Sequence, residues 1–458
     1  ADGSDPLERS VLDRIAAGWF AWAGEARDVG AQTRAVLASA GRMATAEARP
    51  GGGGGGDRDG DGDGVGVGVG GTAHVQPPSA AHLLRAASDL HARTGHTAGN
   101  GSLMRTAPVA LAYLDDESGL IEAATTISSL THADPEAGEA CVLWCLAIRH
   151  AVNAGALDLR QALNCLDRER AEVWSARIDA AERSVPADFT SNGWVVQALQ
   201  AAWSAIHRTH GEGAYAADHL RLALAAAVRG GGDTDTVAAI AGGLLGAAYG
   251  VSAIPAQWRR VVHGWPGLRA RDLIALAVLI AQHGAADAQG WPTIAHMAYD
   301  PAAHKLDRLA RHPHDDGVWI GGIDALRDLP VGVDAVVSLC RLGADEVPAA
   351  GVDPANHIEV YLLDSSHPDA NPHLEFVLAD TADAVAQLRA EGRVVLLHCV
   401  AAESRTPTVA AAYAVRALGI PARQAVAEVT AALPRCHPNR AFRAALRHLD
   451  HDGKHGTA

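Results

Sequence analysis

A short stretch near the C-terminus has the residue types and spacing needed to bind and attack an anion. The apolar run at 394–397 predicts a buried strand, and residues 409–416 predict a helix. A loop between a strand and a helix directs several backbone N–H groups to one point, where the helix adds its positive end. These groups would stabilise the thiolate of Cys399, and Arg405 could hold a phosphate through two hydrogen bonds. The stretch therefore predicts nucleophilic chemistry on a phosphate ester.

The pattern His-Cys-x5-Arg-Thr, from His398 to Thr406, resembles the signature of the cysteine-dependent protein tyrosine and dual-specificity phosphatases. The resemblance covers about residues 313–450. It implies that Cys399 attacks phosphorus, that His398 belongs to the catalytic set, and that Thr406 stabilises the thiolate when water releases the phosphate. The implied phosphate-binding residues are Val400, Ala401, Ala402, Glu403, Ser404 and Arg405.

The elements around this stretch alternate between strand and helix patterns. The predicted strands are 317–323, 333–340 and 357–364, and the predicted helices are about 373–390, 406–417 and 421–433. This alternation predicts an α/β domain with a central, mostly parallel sheet. Asp364 ends the third strand, and its family position makes it the general acid, with Asp369 as the alternative. Asp364 could instead be only a turn or capping residue.

One loop residue departs from the phosphatase pattern. The family usually has glycine where this chain has Ala402. If the backbone needs a positive φ there, alanine costs about 1–2 kcal/mol. We expect a strained or slightly reshaped loop that retains activity.

The N-terminal half contains three polar motifs. Residues 98–108 read Ala-Gly-Asn-Gly-Ser-Leu-Met-Arg-Thr-Ala-Pro, with glycines that allow close approach of the backbone to a ligand. His132 and Asp134 precede a predicted long helix, where Asp134 could be only a helix cap. Residues 230–237 begin another helix and offer hard oxygen ligands that suit Mg²⁺ or Mn²⁺ better than zinc. An acidic helix cap is the alternative there.

Together with Asp-Val-Gly-Ala-Gln-Thr at 28–33, these motifs follow the order seen in ADP-ribosylglycohydrolases, which the chain resembles over about residues 7–285. The resemblance implies an all-α domain with a binuclear Mg²⁺ or Mn²⁺ centre in a cleft. The implied metal ligands are Asp233, Asp235 and Thr236. The implied ADP-ribose-binding residues are Asn100, Gly101, Ser102, His132 and Asp134.

The chain also departs from this second family. The family opens with a Gly-Asp-Ala-x-Gly segment and a Thr-Asp-Asp-Thr motif, which supplies further metal ligands and the catalytic acid. Neither occurs in this sequence, and the pair Asp115-Asp116 lacks the threonines. We therefore expect a weak or incomplete metal site, in either a fragment or a degenerate domain.

The predicted organisation has two domains. An ADP-ribosylglycohydrolase-like α domain spans 1–288 with a disordered Gly/Asp-rich insert at 50–71, followed by a linker at 289–312, a phosphatase-like domain at 313–450 and a tail at 451–458. The start of a calcium-loop pattern at 57–62 lacks the glutamate that such a loop needs at its twelfth position. The uncharged stretch 236–258 favours a buried helix over a membrane span.

Composition narrows the functional classes. The net charge of −15 argues against nucleic-acid binding, and we expect no membrane partner. The six cysteines have no metal-site or disulfide spacing, which is typical of a reducing cytoplasm. The abundance of alanine and glycine, with lysine only at Lys305 and Lys454, suggests a bacterial source.

The sequence thus predicts a hydrolase. Its C-terminal half would cleave phosphotyrosine, phosphoserine or phosphothreonine esters through a cysteinyl-phosphate intermediate without a cofactor. Its N-terminal half would remove or bind ADP-ribose, so phosphorylated and ADP-ribosylated proteins, small phosphoesters and ADP-ribose are the expected partners. Two alternatives stay open: a catalytically inactive N-terminal half that targets the phosphatase, or metal-dependent ADP-ribosyl hydrolysis as the main activity.

Overall fold

The computed structural model describes residues 2–48, 76–300 and 306–452. The predicted disordered insert at 50–71, the calcium-loop pattern within it and residues 453–458 of the predicted tail lie outside these ranges.

The chain up to about residue 285 is helical, apart from one small hairpin. The helices are α1 Arg9–Glu25, α2 Ala31–Ala48, α3 Ala80–Thr94, α4 Ala107–Ala112, α5 Glu117–Ser129, α6 Pro135–Ala154, α7 Arg168–Arg183, α8 Val195–Thr209, α9 Asp218–Arg229, α10 Thr234–Tyr249, α11 Ala256–Val261 and α12 Ala270–Ala281. Strands β1 His263–Gly264 and β2 Leu268–Arg269 form the antiparallel hairpin. Helices α6, α8 and α10 pack together, and the buried indole of Trp144 donates to the Ile240 carbonyl at 3.0 Å.

The C-terminal half is built on a five-stranded sheet. Its elements are β3 Leu309–His312, β4 Asp315–Gly321, α13 Asp324–Arg327, β5 Ala335–Ser338, β6 His357–Glu359, α14 Leu374–Ala390, β7 Val395–His398, α15 Arg405–Leu418, α16 Ala422–Ala432 and α17 Arg440–Asp452. The strand order is β3-β4-β7-β5-β6, in which β3 and β4 are antiparallel and the other neighbours are parallel. The predicted mostly parallel sheet is therefore confirmed.

The predicted linker at 289–312 is not a free connection. It ends in β3, whose Leu-Ala-Arg-His sequence lacks an alternating apolar pattern and which pairs with β4 at the sheet edge through its backbone. Trp291 and Met297 are buried, and the Met297 N–H donates to the Glu346 carboxylate at 3.0 Å. The described residues on both sides of 301–305 therefore contact the C-terminal half.

The predicted strand at 357–364 was too long. Strand β6 ends at Glu359, so Asp364 follows four residues of irregular chain. The reason is that β6 is an edge strand whose partner, β5, ends at Ser338, so little backbone remains to pair with. Beyond it, the Asn371 side chain bonds both the N–H and the carbonyl of Leu363 at 2.9 Å and turns the chain back on itself.

The two halves share an apolar core and several polar contacts. Tyr215 and Phe376 meet edge to face at 6.2 Å between ring centroids. The Ala256 N–H donates to the Asp380 carboxylate at 2.9 Å, and the Arg260 guanidinium pairs with Glu391 at 2.9 Å. The C-terminal half is therefore packed against helix α11 and against Tyr215, which precedes α9.

The uncharged stretch 236–258 contains most of α10, whose side chains Val237, Ile240, Leu244 and Leu245 are buried. Across the part of the chain that the structure describes, no helix is long and apolar enough to cross a membrane. The preference for a buried helix in this stretch is confirmed.

Candidate functional site

The loop between β7 and α15 places Cys399 at its start and Arg405 at its end. Strand β7 lies between β4 and β5, and His398 pairs in register with Gly321 and Ser338. The Cys399 side chain is only 2% exposed. The central strand therefore fixes the nucleophile in a well-packed position.

The backbone N–H groups of residues 400–404 have no acceptor among the described residues. The loop is held by its carbonyls instead: the Val400 carbonyl accepts from the Ile323 N–H at 2.9 Å, and the Glu403 carbonyl from the His437 N–H at 2.6 Å. A run of unpaired amides at the start of a helix is an anion-binding arrangement. The loop that the sequence predicts to bind phosphate therefore has several backbone N–H groups available to an anion.

Ala402 adopts a φ of 51°, so this position does require the left-handed region. Its side chain is fully buried. An alanine in this conformation costs about 1–2 kcal/mol. The loop thus keeps the strained geometry at alanine rather than reshaping to avoid it.

Arg405 extends from the first turn of α15 toward the ends of β5 and β6. Its Nη1 donates to the carbonyls of Leu339 at 2.9 Å and Leu362 at 3.3 Å. Its Nε is buried and has no acceptor among the described residues. A buried donor without a partner is costly, so this N–H is available to donate to an anion.

Two further predicted residues lie directly beside the loop. The Thr406 hydroxyl donates to the Gly321 carbonyl at 3.3 Å, which also accepts from the Cys399 N–H at 3.3 Å. In this structure Thr406 therefore supports the backbone around the cysteine. His398 is fully buried, and burial, reinforced by Arg405, lowers its pKa to about 4. Its imidazole is neutral at ordinary pH.

Asp364 is exposed but tied to the loop through one residue. Its carboxylate accepts from the Asn439 side chain at 3.0 Å, and the Asn439 N–H donates to the Ser404 hydroxyl at 3.3 Å. Asp369 lies instead beside His367, at 3.7 Å, with its side chain 90% exposed. Of these two predicted candidates, Asp364 is the one with a hydrogen-bonded connection to the loop.

In the N-terminal half, the Gly-Asn-Gly loop lies over His132. A Cβ atom at Gly99 would be 3.3 Å from the His132 Nε2 atom, and one at Gly101 would be 3.2 Å from it. Both distances are tighter than ordinary van der Waals contacts, so the two glycines ease the close approach of the backbone to the ring. Burial, followed by the charge of Arg105, lowers the pKa of His132 to about 3, so the ring is neutral.

A cavity of about 590 Å³ opens beside this loop, lined by Gln32, Gly99, Asp134, Glu136 and Trp194, among others. The Trp194 indole is 38% exposed, and its N–H donates to Glu136 at 3.1 Å. Asp134 lines the cavity and also caps α6 through the Glu136 N–H at 3.0 Å. The structure therefore shows Asp134 as a helix cap, and its predicted binding of ADP-ribose stays a prediction.

Two other predicted ADP-ribose-binding residues, Asn100 and Ser102, make contacts within the fold. Asn100 donates from its side chain to Asp233 at 2.6 Å, and Ser102 is buried beside the Cys141 sulfur at 3.5 Å. Two residues that line the cavity were not among the predicted binding residues: Trp194, and Gln32 of the motif at 28–33. The Trp194 loop is joined to the glycine loop by the Asn100 N–H, which donates to the Gly193 carbonyl at 3.1 Å. The sequence signal that could have indicated Trp194 is the Asn-Gly-Trp triplet that precedes α8.

The predicted metal ligands lie together at the start of α10, but they do not complete a cage. Asp235 is exposed, and the Thr236 hydroxyl is 3.5 Å from the Met104 sulfur. Within residues 2–48, 76–300 and 306–452, no group of three or more His, Cys, Asp or Glu side chains could hold a metal ion. Mg²⁺ requires about six oxygen ligands, so these residues alone do not fit a tight binuclear centre.

Residues 2–289 match the family described as ADP-ribosylglycohydrolase. ADP-ribosylarginine hydrolase Tri1 of Pseudomonas putida (strain GB-1) is 34% identical over 172 residues, which are 35% of this chain and 41% of that protein. ADP-ribosyl-[dinitrogen reductase] glycohydrolase of Rhodospirillum rubrum is 29% identical over 162 residues, 35% of this chain and 49% of that protein. The chain thus spans less than half the length of these two relatives.

Solved structures similar to this chain include human DUSP28, a dual-specificity phosphatase. That likeness has 23% sequence identity and a TM-score of 0.27, and it covers 32% of this chain and 95% of the other.

Proposed function

The chain belongs to the ADP-ribosylglycohydrolase family through residues 2–289, and from that premise we propose a protein with two sites. The helical half binds ADP-ribosyl groups, and the C-terminal half hydrolyses phosphate monoesters through Cys399. The division into two domains, with a boundary near 289–312, is part of this proposal.

The observation that carries the phosphatase activity is the set of unpaired donors around Cys399. The loop that begins at Cys399 carries the unpaired N–H groups of residues 400–404 and ends at Arg405, whose Nε is buried and unpaired among the described residues. They would stabilise the charge on the three non-bridging oxygens of a transferring phosphoryl group. Such donors supply the stabilisation that a metal ion gives in other phosphatases.

The reaction proceeds in two displacements. The Cys399 thiolate attacks phosphorus, the P–O bond to the leaving group breaks, and Asp364 donates its proton to the leaving oxygen. Water then attacks the cysteinyl-phosphate, Asp364 accepts a proton from that water, and phosphate leaves as the thiolate is restored. The tie from Asp364 through Asn439 to Ser404 keeps the acid close to the loop in both steps.

An assay of the purified chain with an aryl phosphate in excess EDTA tests this function. We expect phosphate release without metal, and parallel reactions with phosphotyrosine, phosphoserine and phosphothreonine peptides would define the preferred substrate. Activity that appears only after a divalent ion is added would overturn the thiolate mechanism.

The second site is supported by the cavity beside the glycine loop. Trp194 offers a partly exposed aromatic face, and Asp134 and Gln32 offer polar groups that can bind the hydroxyls of a ribose. Because the acidic residues near α10 do not complete a metal cage, we propose binding of ADP-ribose with little hydrolysis. The alternative, metal-dependent ADP-ribosyl hydrolysis as the main activity, is directly testable.

Calorimetry with ADP-ribose, with and without millimolar Mg²⁺ or Mn²⁺, should show binding that depends weakly on metal. A parallel assay of ADP-ribosylarginine hydrolysis should show little release. Efficient metal-dependent release that disappears in Asp235→Ala would show that the chain does complete a metal centre, and would favour the alternative function.

A substrate that carries both modifications would engage both sites. We therefore propose a protein that bears ADP-ribose and a phosphate ester as the partner of this chain. The six cysteines are free thiols in the structure, which fits the reducing cytoplasm that we propose as its location.

A further inference from the structure

Behind the catalytic loop, three neighbouring parallel strands contribute side chains to one buried chain of hydrogen bonds. Ser338 of β5 lies between His357 of β6 and His398 of β7. Its hydroxyl oxygen is 2.8 Å from the His357 Nε2 atom and 2.6 Å from the His398 Nε2 atom. All three residues are at most 6% exposed, so water does not compete for these bonds.

The positions of the protons follow from one fixed donor. The Ala349 backbone N–H lies 2.9 Å from the His357 Nδ1 atom and can only donate, so this nitrogen carries no proton. A neutral His357 then donates from Nε2 to the Ser338 oxygen. The single hydroxyl proton of Ser338 is left for the His398 Nε2 atom, and the proton of His398 resides on Nδ1.

The chain ends at the nucleophile. The His398 Nδ1 atom is 3.3 Å from the Cys399 carbonyl oxygen, to which it donates. This bond fixes the plane of the peptide between Cys399 and Val400. It also polarises that peptide, which makes the Val400 N–H, the first unpaired amide of the loop, a stronger donor.

We propose that Ser338 and His357 are positioning residues of the phosphatase site, which hold His398 in the Nδ1–H tautomer so that the Cys399 peptide and the first loop amide keep their orientation. The role assigned to this tautomer rests on the proposed phosphatase function. Ser338 and His357 act through His398 and touch neither the substrate nor the reacting sulfur.

The charges around the chain favour neutral rings. Burial, followed by His398 and Arg271, lowers the pKa of His357 to about 3. His398 faces Arg405 from α15, and Cys340, just after β5, keeps its proton because burial raises the pKa of that thiol. Both imidazoles therefore stay neutral at neutral pH, and the direction of the hydrogen bonds is unchanged.

The first test compares Ser338→Ala with Ser338→Thr in the full chain, using pH profiles of aryl-phosphate hydrolysis. Without the hydroxyl, His398 loses the donor that selects its tautomer. We expect kcat to fall roughly tenfold or more, with KM nearly unchanged and the acid limb displaced toward higher pH. His357→Gln should give a smaller change in the same direction, and Ser338→Thr should restore most of the activity.

Val337→Ala is the matched control, because Val337 is a fully buried neighbour on the same strand and takes no part in the hydrogen bonds. It should lower the midpoint of thermal unfolding without moving the pH profile. An unchanged profile in Ser338→Ala, or an equal displacement in Val337→Ala, would overturn the positioning role.

A second readout does not require turnover. The rate of alkylation of Cys399 by iodoacetamide is followed against pH by mass spectrometry of its peptide, because the thiolate is the reacting form. We expect the pH at which Cys399 is alkylated at half its maximal rate to rise in Ser338→Ala and to stay unchanged in Val337→Ala. If this midpoint moves in Ser338→Ala but the protein has no phosphatase activity, only the proposed function is refuted. If the midpoint does not move, the positioning role is refuted.

Discussion

The two sites of this chain are assembled in opposite ways. The proposed C-terminal site takes its candidate nucleophile, its unpaired amides and its arginine from the contiguous segment 399–405. The N-terminal cavity takes Gln32, the glycine loop, Asp134 and Trp194 from segments spread over more than half of the helical half. A site built from one contiguous segment has all its residues whenever that segment is present. A site built from dispersed segments needs every one of those segments to be present and correctly packed.

The electrostatics of the two sites differ as well. Around Cys399 the described residues leave N–H donors unpaired, so the site is prepared for an anion. Around Asp233 the carboxylate already accepts a hydrogen bond from Asn100, and the exposed Asp235 has no cluster of acidic neighbours within the described chain. The loop after Cys399 therefore has hydrogen-bond donors without acceptors, whereas Asp233 already accepts a hydrogen bond from within the protein.

The largest effect should come from removing the nucleophile. Cys399→Ser should reduce aryl-phosphate hydrolysis to background, because a hydroxyl in place of the thiol is barely ionised at neutral pH. In Arg405→Lys the rate of aryl-phosphate hydrolysis should also fall by orders of magnitude, because an ammonium group cannot form the two parallel hydrogen bonds that a guanidinium forms to a phosphate. Cys165→Ser, a half-buried cysteine of the N-terminal half, is the control and should retain full activity. Wild-type rates in Cys399→Ser would show that the contiguous motif is not the active site.

The next largest effect concerns the acid. Asp364→Asn should lower kcat about 100-fold for phosphoesters with poor leaving groups and much less for nitrophenyl phosphate, whose leaving group needs little protonation. Steady-state kinetics over a series of leaving groups would measure this difference. Asp369→Asn is the control in the same loop, and the same dependence in that variant would reverse the two roles.

The dispersed site should respond more gently. Trp194→Ala should weaken ADP-ribose binding by roughly tenfold, because stacking against an aromatic ring contributes about 0.5–1.5 kcal/mol. Calorimetry of the full chain would measure the change. Trp258→Ala, which removes another partly exposed tryptophan outside the cavity, should leave the affinity unchanged. Equal losses in both variants would place the ligand elsewhere.

The smallest effect concerns loop strain. Ala402→Gly removes about 1 kcal/mol of backbone strain at φ 51° but adds freedom to the unfolded chain, so the free energy of unfolding should change by less than about 1 kcal/mol. Ala401→Gly has no such strain to remove and should be destabilising by about 0.5–1 kcal/mol. Denaturant titrations of the two variants would compare them. If the free energy of unfolding falls more in Ala402→Gly than in Ala401→Gly, packing of the Ala402 side chain offsets the backbone strain.

The sequence predicted the helices and the strand–loop–helix arrangement at 395–418 well, because both depend on local patterns. Helix α14 has one apolar face and α15 follows a signature of fixed spacing, and both lie within two residues of their predicted bounds. Strand β3 was missed because four residues at a sheet edge carry no periodic signal, and β6 was drawn too long because its length depends on its partner β5. Pairing partners are set by tertiary structure.

The same reason explains which site residues escaped prediction. Trp194 meets the glycine loop across more than ninety residues of sequence, through backbone bonds that no motif records. Ser338, His357 and His398 come together only because β5 lies between β6 and β7 in the sheet. Strand order and register decide these contacts, and neither can be read from residue types alone.

The apolar core that runs across the two halves has a consequence for how the chain unfolds. Tyr215 packs on Phe376, and the Ala256 N–H is bonded to Asp380, so separating the halves would expose apolar surface and break buried polar contacts. We therefore expect one cooperative melting transition rather than two, with no stable intermediate in which one half is folded alone. It follows that ADP-ribose, which would bind only the folded helical half, should also raise the melting temperature of the phosphatase half.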